Sequence, residues 1–481
     1  MPFLDRVTRW AEERPQESAV VCGRAELSWG ELRAEAAALA ASGEPTGILR
    51  QANSTDFAVR WAAGVAEERV CAVLDPSWPE ETAAPVQERC AARIPADPVP
   101  AVLRDGDPAS AFLIGLTSGT TALPKGFRRS RASWRRSFET SIAHFGLGPE
   151  DRVLAPGPLA SSLNLYALSE CLYAGAGFVT LPHFDVAAAH AAITGQGVTR
   201  LVLVPTVLRV LAERGLAGGV DAGGVTAIVC AGQKLDRATL TAARRWAPNA
   251  AIWEYYGAAE LGFVAACCHR PGEPAEGPAQ EFAAEFTEES AAQSGTAVGA
   301  PFPGVEVAVL DAAGRPVPEG VAGTIGVRSD LVCDGYLWGD DGQAFGRLGG
   351  LHTVRDQGFL RDGQLHVLGR ASEMINSGGL NVYPHEVEAA LAMVPGVADV
   401  VVAGLPDGAR GQRIVAGILP GTGGADRSRL RAGLEPRLAP AKRPQQYWEL
   451  LELPVTASGK LSRQLFRDWI LEGDDRVRPL G

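Results

Sequence analysis

Residues 116–126 read LTSGTTALPKG: five small residues, four of them hydroxylic, run ahead of one lysine. The hydroxyls of Thr117, Ser118, Thr120 and Thr121, with exposed backbone N–H groups, can ring a polyphosphate. Gly119 permits close approach, and Lys125 supplies a point charge. The order G-x-x-x-x-G-K-[ST] is absent, so this is not a Walker A loop; the plain alternative is a polar surface turn. A second constellation, Cys267-Cys268-His269, invites a metal, but no further cluster in the sequence completes four ligands. The other cysteines (22, 71, 90, 171, 230 and 333) form neither a zinc ribbon nor a C-x-x-C pair, which predicts reduced, mostly buried thiols.

The elements that must carry these residues follow the pattern of layered α/β architecture. A chain of 481 residues exceeds what one core supports, so two or three domains are expected. Residues 31–41, ELRAEAAALAA, predict a helix rich in good helix formers. Residues 201–204 (LVLV) predict a buried strand ended by Pro205, with Thr206 as N-cap of a helix that Gly215 stops. Residues 227–231 (AIVCA) predict another buried strand. Between Cys268 and Gly295 the texture turns to Pro, Glu, Ala and Ser without periodicity, which reads as a surface excursion. Short strands punctuated by Gly, Pro and Asp follow and suggest hairpins of a small β-rich subdomain. From Arg370 onward mixed α/β returns: a helix over 384–393, a strand over 399–402 and a final helix after Lys460. A boundary near 369–372 divides residues 1–369 from residues 370–481.

The hydroxyl loop and seven further pieces in one order resemble the adenylate-forming superfamily of acyl- and aryl-CoA synthetases, nonribosomal peptide synthetase adenylation domains and beetle luciferases. The seven are LSWGEL (27–32), AVLDPSWP (72–79), AGQKL (231–235), EYYGAAE (254–260), HTVRDQGFL (352–360), GRASEMINSGGLNVYPHEVE (369–388) and PVTASGKLSR (454–463). The neighbouring text is most similar to bacterial fatty-acid–CoA ligase-like proteins. The resemblance implies a large N-terminal AMP-binding domain of layered α/β subdomains with a small β-rich subdomain, and a small mobile α+β C-terminal domain.

It also implies a chemistry. A carboxylate is a poor acyl donor, and attack on the α-phosphate of ATP turns its oxygen into part of a good leaving group, AMP. That step brings one anion onto another, so a cation is needed at the reacting oxygens. Lys460 matches the family's catalytic lysine, and Glu260 matches the ligand of a Mg²⁺ that neutralises departing pyrophosphate. Asp356 and Arg370 match ribose contacts. Ala231, Gly232 and Gln233, with Tyr255, Tyr256, Gly257, Ala258 and Ala259, fall where relatives bind the nucleotide. Ser161, Ser162 and Asn164 fall on the acyl pocket, Gly378 and Gly379 on the thiol tunnel, and Ser372 on the hinge. The acceptor implied is CoA or, as the alternative, the phosphopantetheine of an acyl carrier protein in trans. A degenerate nucleotide- or acyl-binding protein is a remote third reading, because Lys125, Glu260 and Lys460 are all present.

Four positions depart from the family pattern. Ala259 replaces a threonine, removing one neutral hydrogen bond worth about 0.5–1.5 kcal/mol. Arg355 stands at the glycine before the ribose aspartate, so its side chain must point away from the nucleotide or add an unusual contact. Ser372 replaces the usual Asp or Lys at the hinge. Ser161 replaces the histidine that gates the acyl pocket in CoA ligases, and no acid between Ala155 and Ser169 is available to hold an α-ammonium. An ordinary α-amino acid is therefore disfavoured.

Net charge of −11 argues against nucleic acid as a partner. Locally, Arg128, Arg129, Arg131, Arg135 and Arg136 form a basic cluster that could meet the phosphates of CoA or an acidic carrier protein, or simply be a solvated helix face. No apolar run reaches the length of a membrane span, and the N-terminus lacks a signal-peptide pattern, which predicts the cytoplasm.

Overall fold

The computed structural model describes residues 3–94, 101–117, 123–273, 297–340, 342, 345–370, 373–378, 380–408, 411–421, 424, 426–456 and 461–480. Ser118, Gly119, Thr120, Thr121, Ser372, Gly379 and Lys460 lie outside these residues.

The widest sheet is built on parallel strands in the order Ser18–Cys22, Gly177–Thr180, Arg152–Leu154, Arg200–Leu203, Ala227–Ala231 and Ala251–Ala258. Ala227–Ala231 is buried throughout, because a parallel strand covered on both faces has no solvent side. Gly262–His269 joins antiparallel to Ala251–Ala258 and carries the sheet into strands of the β-rich part. There Glu306–Leu310 and Gly323–Arg328 pair antiparallel across the turn predicted from their Gly and Pro residues.

Helix Trp29–Ser42 has a complete capping box, Ser28 and Glu31 each satisfying the other's backbone, and ends on left-handed Gly43. The helix after Arg200–Leu203 differs from expectation. It spans Pro205–Gly218 with Val204 as N-cap, because the fixed φ of proline suits a first helical position. Gly215 does not stop it: a Cβ there would sit 2.2 Å from the Trp246 indole nitrogen, so this glycine serves close packing, and left-handed Gly219 ends the helix.

A second sheet runs Tyr336–Trp338, Lys125–Ser130, Ala111–Thr117, Cys71–Val73 and Ile48–Leu49. Its central hairpin pairs Thr117 with Lys125, so the hydroxyl-rich motif joins two adjacent, antiparallel strands. The third sheet takes strands only from Ile375 onward: Leu380–Val382, Ile375–Ser377, Gly411–Pro420, Gln446–Leu450 and Val477–Pro479, with Val397–Asp407 also paired to Gly411–Pro420. The strand expected over 399–402 is the middle of Val397–Asp407, and the final helix is Arg463–Glu472. Two apolar clusters draw exclusively on residues from Ile375 on.

The five-arginine cluster divides: Arg128, Arg135 and Arg136 are exposed, as a solvated face would have them, while two others turn inward. Arg131 is fully buried and donates to Ser110, Ala111, Val65 and Arg69, tying the helix it begins to the preceding loops. Arg129 is buried too, and Arg128, Arg135 and Arg136 pair with Asp334, Glu139 and Asp330. Arg128 and Arg129 lie on a strand and the other three on the helix after it, so neighbours in sequence point in different directions. All eight cysteines are free thiols, six of them buried. No described helix is long and apolar enough to cross a membrane.

Candidate active site

A broad cleft is lined by the ends of the first two sheets and by residues of the third. Strand Ala251–Ala258 divides it, since successive side chains leave opposite faces. Tyr256 donates its hydroxyl to Asp356 Oδ2 at 2.5 Å, and Arg370 Nε lies 3.6 Å from Asp356 Oδ1. That Oδ1 is buried and accepts no hydrogen bond among the described residues. Burial pushes the Asp356 carboxyl up, against the pull of the Arg370 charge. Asp356 and Arg370 face each other across paired strands, so the β-rich part sets their spacing.

Arg355 occupies a left-handed backbone with φ of 65°. A glycine meets that conformation without cost, whereas a side chain pays roughly 1 kcal/mol. The backbone N–H of Arg355 donates to Thr353 Oγ1, fixing the turn that presents Asp356.

Four residues beyond Tyr256, Glu260 is buried and accepts from the Tyr336 hydroxyl. Arg129 holds the segment around it, donating to the carbonyls of Ala259 and Leu331, while Cys333 N–H donates to the Glu260 carbonyl. Gly257 admits no side chain, since a Cβ would lie 2.4 Å from the Gly262 carbonyl oxygen. Lys125, also buried, has its ammonium 5.8 Å from the centre of the Tyr336 ring. Tyr336 thus links Lys125 to Glu260 and was not among the candidate site residues, while Arg129 was singled out only as part of the basic cluster. Tyr336 stands in no recognisable motif; only the hydroxyl of a lone tyrosine in GYLW signals it.

Gln233, next to Ala231 and left-handed Gly232, lines the cleft with a buried Nε2 that has no hydrogen-bond partner among the described residues. Ala258 and Ala259 line it as well. Tyr255 lines it too, packed into an aromatic cluster with its ring 4.5 Å from the Phe263 ring centre. Ser161 caps helix Ser162–Ala174 and also accepts from Asn164 Nδ2 at 2.8 Å. Asn164 gives a further bond to Pro158 O, so its amide fastens the turn, and Ser162 stays exposed. Asn53 clamps the same loop from outside, bonding Gly157 O and Leu159 N. In the third sheet, Gly378 is left-handed at φ 62°.

The Cys267-Cys268-His269 run has a partner that spacing concealed. Glu254 lies directly across the strand pair from Cys267, and with His269 the three bring ligand atoms within 4.8 Å of one another. The cation that meets Glu254 is Lys234, whose Nζ is 2.6 Å from Oε2 and 2.6 Å from Ala297 O. Burial and the positive charges of Lys234 and Arg244 drive the His269 imidazole down to about 4.

Behind Tyr255, Glu170 is a carboxyl facing Ser141 and the charge of Arg200. Burial raises it from 4.5 to about 7. The folded protein therefore holds this proton while the unfolded chain releases it, so the stabilising difference is present below about pH 4.5 and is lost as pH rises through 7. Glu170→Gln should remove this loss, narrowing the stability gap between pH 5 and pH 8 by at most about 3 kcal/mol. Thermal melts of both proteins at the two pH values check this; an unchanged gap would contradict it.

The architecture is that of the adenylate-forming enzymes. It resembles ATP-bound MatB from Rhodopseudomonas palustris with a TM-score of 0.79 at 22% identity, covering 97% of this chain and 98% of that one. The chain belongs to the AMP-binding enzyme family: residues 43–337 match the AMP-binding enzyme domain and residues 386–460 its C-terminal domain. It is 31% identical over 378 residues to the uncharacterized acyl–CoA ligase YhfT of Bacillus subtilis (strain 168), covering 78% of this chain and 71% of that protein. It is 31% identical over 389 residues to the indoleacetate–CoA ligase of Aromatoleum aromaticum, covering 80% and 71%. Its activity is that of an AMP-forming acid ligase: a carboxylic acid is adenylated with ATP, and the acyl group passes to coenzyme A.

Proposed function

We propose that the cleft binds ATP across the sheet junction and that residues 1–369 and 370–481 act as two working units around it. Asp356 and Arg370 hold the ribose, Gln233 and its neighbours Ala231 and Gly232 border the adenine, and Thr117, Lys125 and the loop between them surround the phosphates. The observation that carries this reading is Asp356 Oδ1, a buried acceptor with no hydrogen bond among the described residues, beside a guanidinium and a phenol on the strand that leads to Glu260. A vicinal diol supplies the donor this oxygen lacks.

The Glu260 carboxylate fits a divalent cation, being buried beside the phosphate loop's Lys125 and, among the described residues, accepting a side-chain hydrogen bond from the Tyr336 hydroxyl. A Mg²⁺ bound there would neutralise phosphate charge. Lys460 bridges the carboxylate and the α-phosphate in the adenylating arrangement. Ser161 leaves the passage from acyl pocket to thiol without the usual imidazole, and Gly378 and Gly379 line the path of the thiol.

ATP–pyrophosphate exchange over fatty, aryl, aminobenzoic and indoleacetic acids tests the first half, followed by CoA or a holo carrier protein as acceptor for one activated acid. Exchange with at least one acid and thioester formation with CoA are expected. Adenylate that accumulates while both thiols stay free would sink the thioester half.

A further inference from the structure

Part of the cleft is walled by aromatic side chains with a chain of hydroxyls set among them. Tyr166, Tyr255 and Phe263 line the cleft on one side and, with Leu163, a small void on the other. That void, about 20 Å³, has room for one water and is bounded by Glu170 and Arg200.

The wall is braced by its neighbouring rings. Phe263 stacks on Phe302 at 4.6 Å, Tyr166 meets Phe263 edge-on at 5.5 Å, and Trp134 meets Tyr166 at 5.3 Å. Such rings bury large areas and favour one another beyond area alone, so opening the wall disrupts several contacts at once. A long alkyl chain entering here meets a stop, while a flat ring finds aromatic edges and faces to pack against.

The hydroxyl chain has a direction. Ser137 Oγ lies 2.7 Å from Tyr166 OH, Tyr166 OH lies 3.1 Å from Ser141 Oγ, and Ser141 contacts Glu170. An ionised carboxylate only accepts, so Ser141 donates to Glu170, Tyr166 donates to Ser141, and Ser137 donates to Tyr166. Ser137 is the last link, it lines the cleft, and its one proton is already committed. What it presents to a ligand is therefore an acceptor.

We infer that the acid activated here is a compact aromatic carboxylate with an O–H or N–H donor on the ring end remote from its carboxyl, received by Ser137 and Tyr166. This rests on the adenylation reading above and names its substrate class.

The test is pyrophosphate exchange at pH 8, where Glu170 is mostly ionised. Benzoic, phenylacetic and 3-phenylpropanoic acids are compared with and without a para-hydroxyl, alongside palmitic acid. At least one hydroxylated acid should exceed its parent by about tenfold or more in kcat/KM, with palmitate about a hundredfold below the best aryl acid. Ser137→Ala and Tyr166→Phe should each collapse the hydroxylated-to-parent ratio to within about threefold of unity. If one variant fails to fold, the other decides. Palmitate equal to or better than every aryl acid overturns the inference and leaves adenylation standing, as does a ratio that neither substitution moves. Exchange with no acid at all overturns the adenylation reading, and this inference with it.

Discussion

Lys460→Ala is expected to lower ATP–pyrophosphate exchange by about a hundredfold to a thousandfold, or roughly 3–4 kcal/mol of transition-state stabilisation. The magnitude follows from the charges. A carboxylate oxygen must approach an α-phosphate that already carries negative charge, and a fixed ammonium between them is worth most while that repulsion peaks. Loss of one neutral contact, such as the hydroxyl missing at Ala259, costs far less. Thioester formation starts from an acyl-adenylate and a thiol, with no second phosphate anion to bring in. Supplied with preformed acyl-adenylate, the variant should therefore make thioester at close to the parent rate. Single-turnover assays of each half-reaction separate the two, and equal loss of both would contradict the role given to Lys460.

Much of the fold was legible because local and global signals agree. Residues 227–231 could be read as a strand because a both-faces-buried parallel strand has no polar residue to place. The helix at Trp29–Ser42 announced itself through the good helix formers of residues 31–41, while its capping box and terminal glycine emerged only in the structure. Gly215 misled because a glycine that admits a tryptophan looks, in sequence, like one that ends a helix. The arginine cluster could be read only in part for a related reason: charge says nothing about direction, and Arg129 and Arg131 turn inward to carbonyl groups that the sequence does not reveal, while the other three stay exposed.

The candidate site divides in the same way. Tyr256, Asp356 and Arg370 were placed by motifs, and the structure brings them together although 100 residues of chain separate Tyr256 from Asp356. Tyr336 and Glu254 could not be found that way. Each acts through a strand pairing, Tyr336 beside the strand of Lys125 and Glu254 opposite Cys267, and a register between distant strands leaves no local spacing to read. Arg355 shows the reverse. Its sequence anomaly was visible, and the left-handed φ gives the physical reason a glycine is favoured at that position.

Arg463 combines stability with function, and its replacement by glutamine should show both. The side chain is largely buried, with Nη1 at 2.8 Å from Glu373 and Nη2 at 2.7 Å from Glu388. His385 also approaches Glu388, at 3.1 Å. Burial alone would raise the Glu388 carboxyl, yet Arg463, His385 and the Val402 N–H together hold it down to about 2. Its depressed value makes the cluster stabilising above the ordinary carboxyl range and progressively weaker as pH falls toward 2. Removing the guanidinium leaves Glu388 buried without its main counter-charge, which costs about 3–5 kcal/mol. Arg463→Lys should recover only part of this, since one ammonium cannot span two carboxylates as a planar fork does. Hydrogen exchange should then quicken in the third sheet, from Ile375 to Pro479, while the parallel strands of the first sheet keep their protection. Arg463 begins the helix three residues after Lys460 in the sequence, and it grips Glu373, three residues after Arg370, with both lining the cleft. Pyrophosphate exchange should accordingly fall by about tenfold or more in Arg463→Gln, because a misplaced cation stabilises little of the charge that develops. Unchanged protection together with unchanged exchange would mean that this cluster neither holds the third sheet nor positions the lysine.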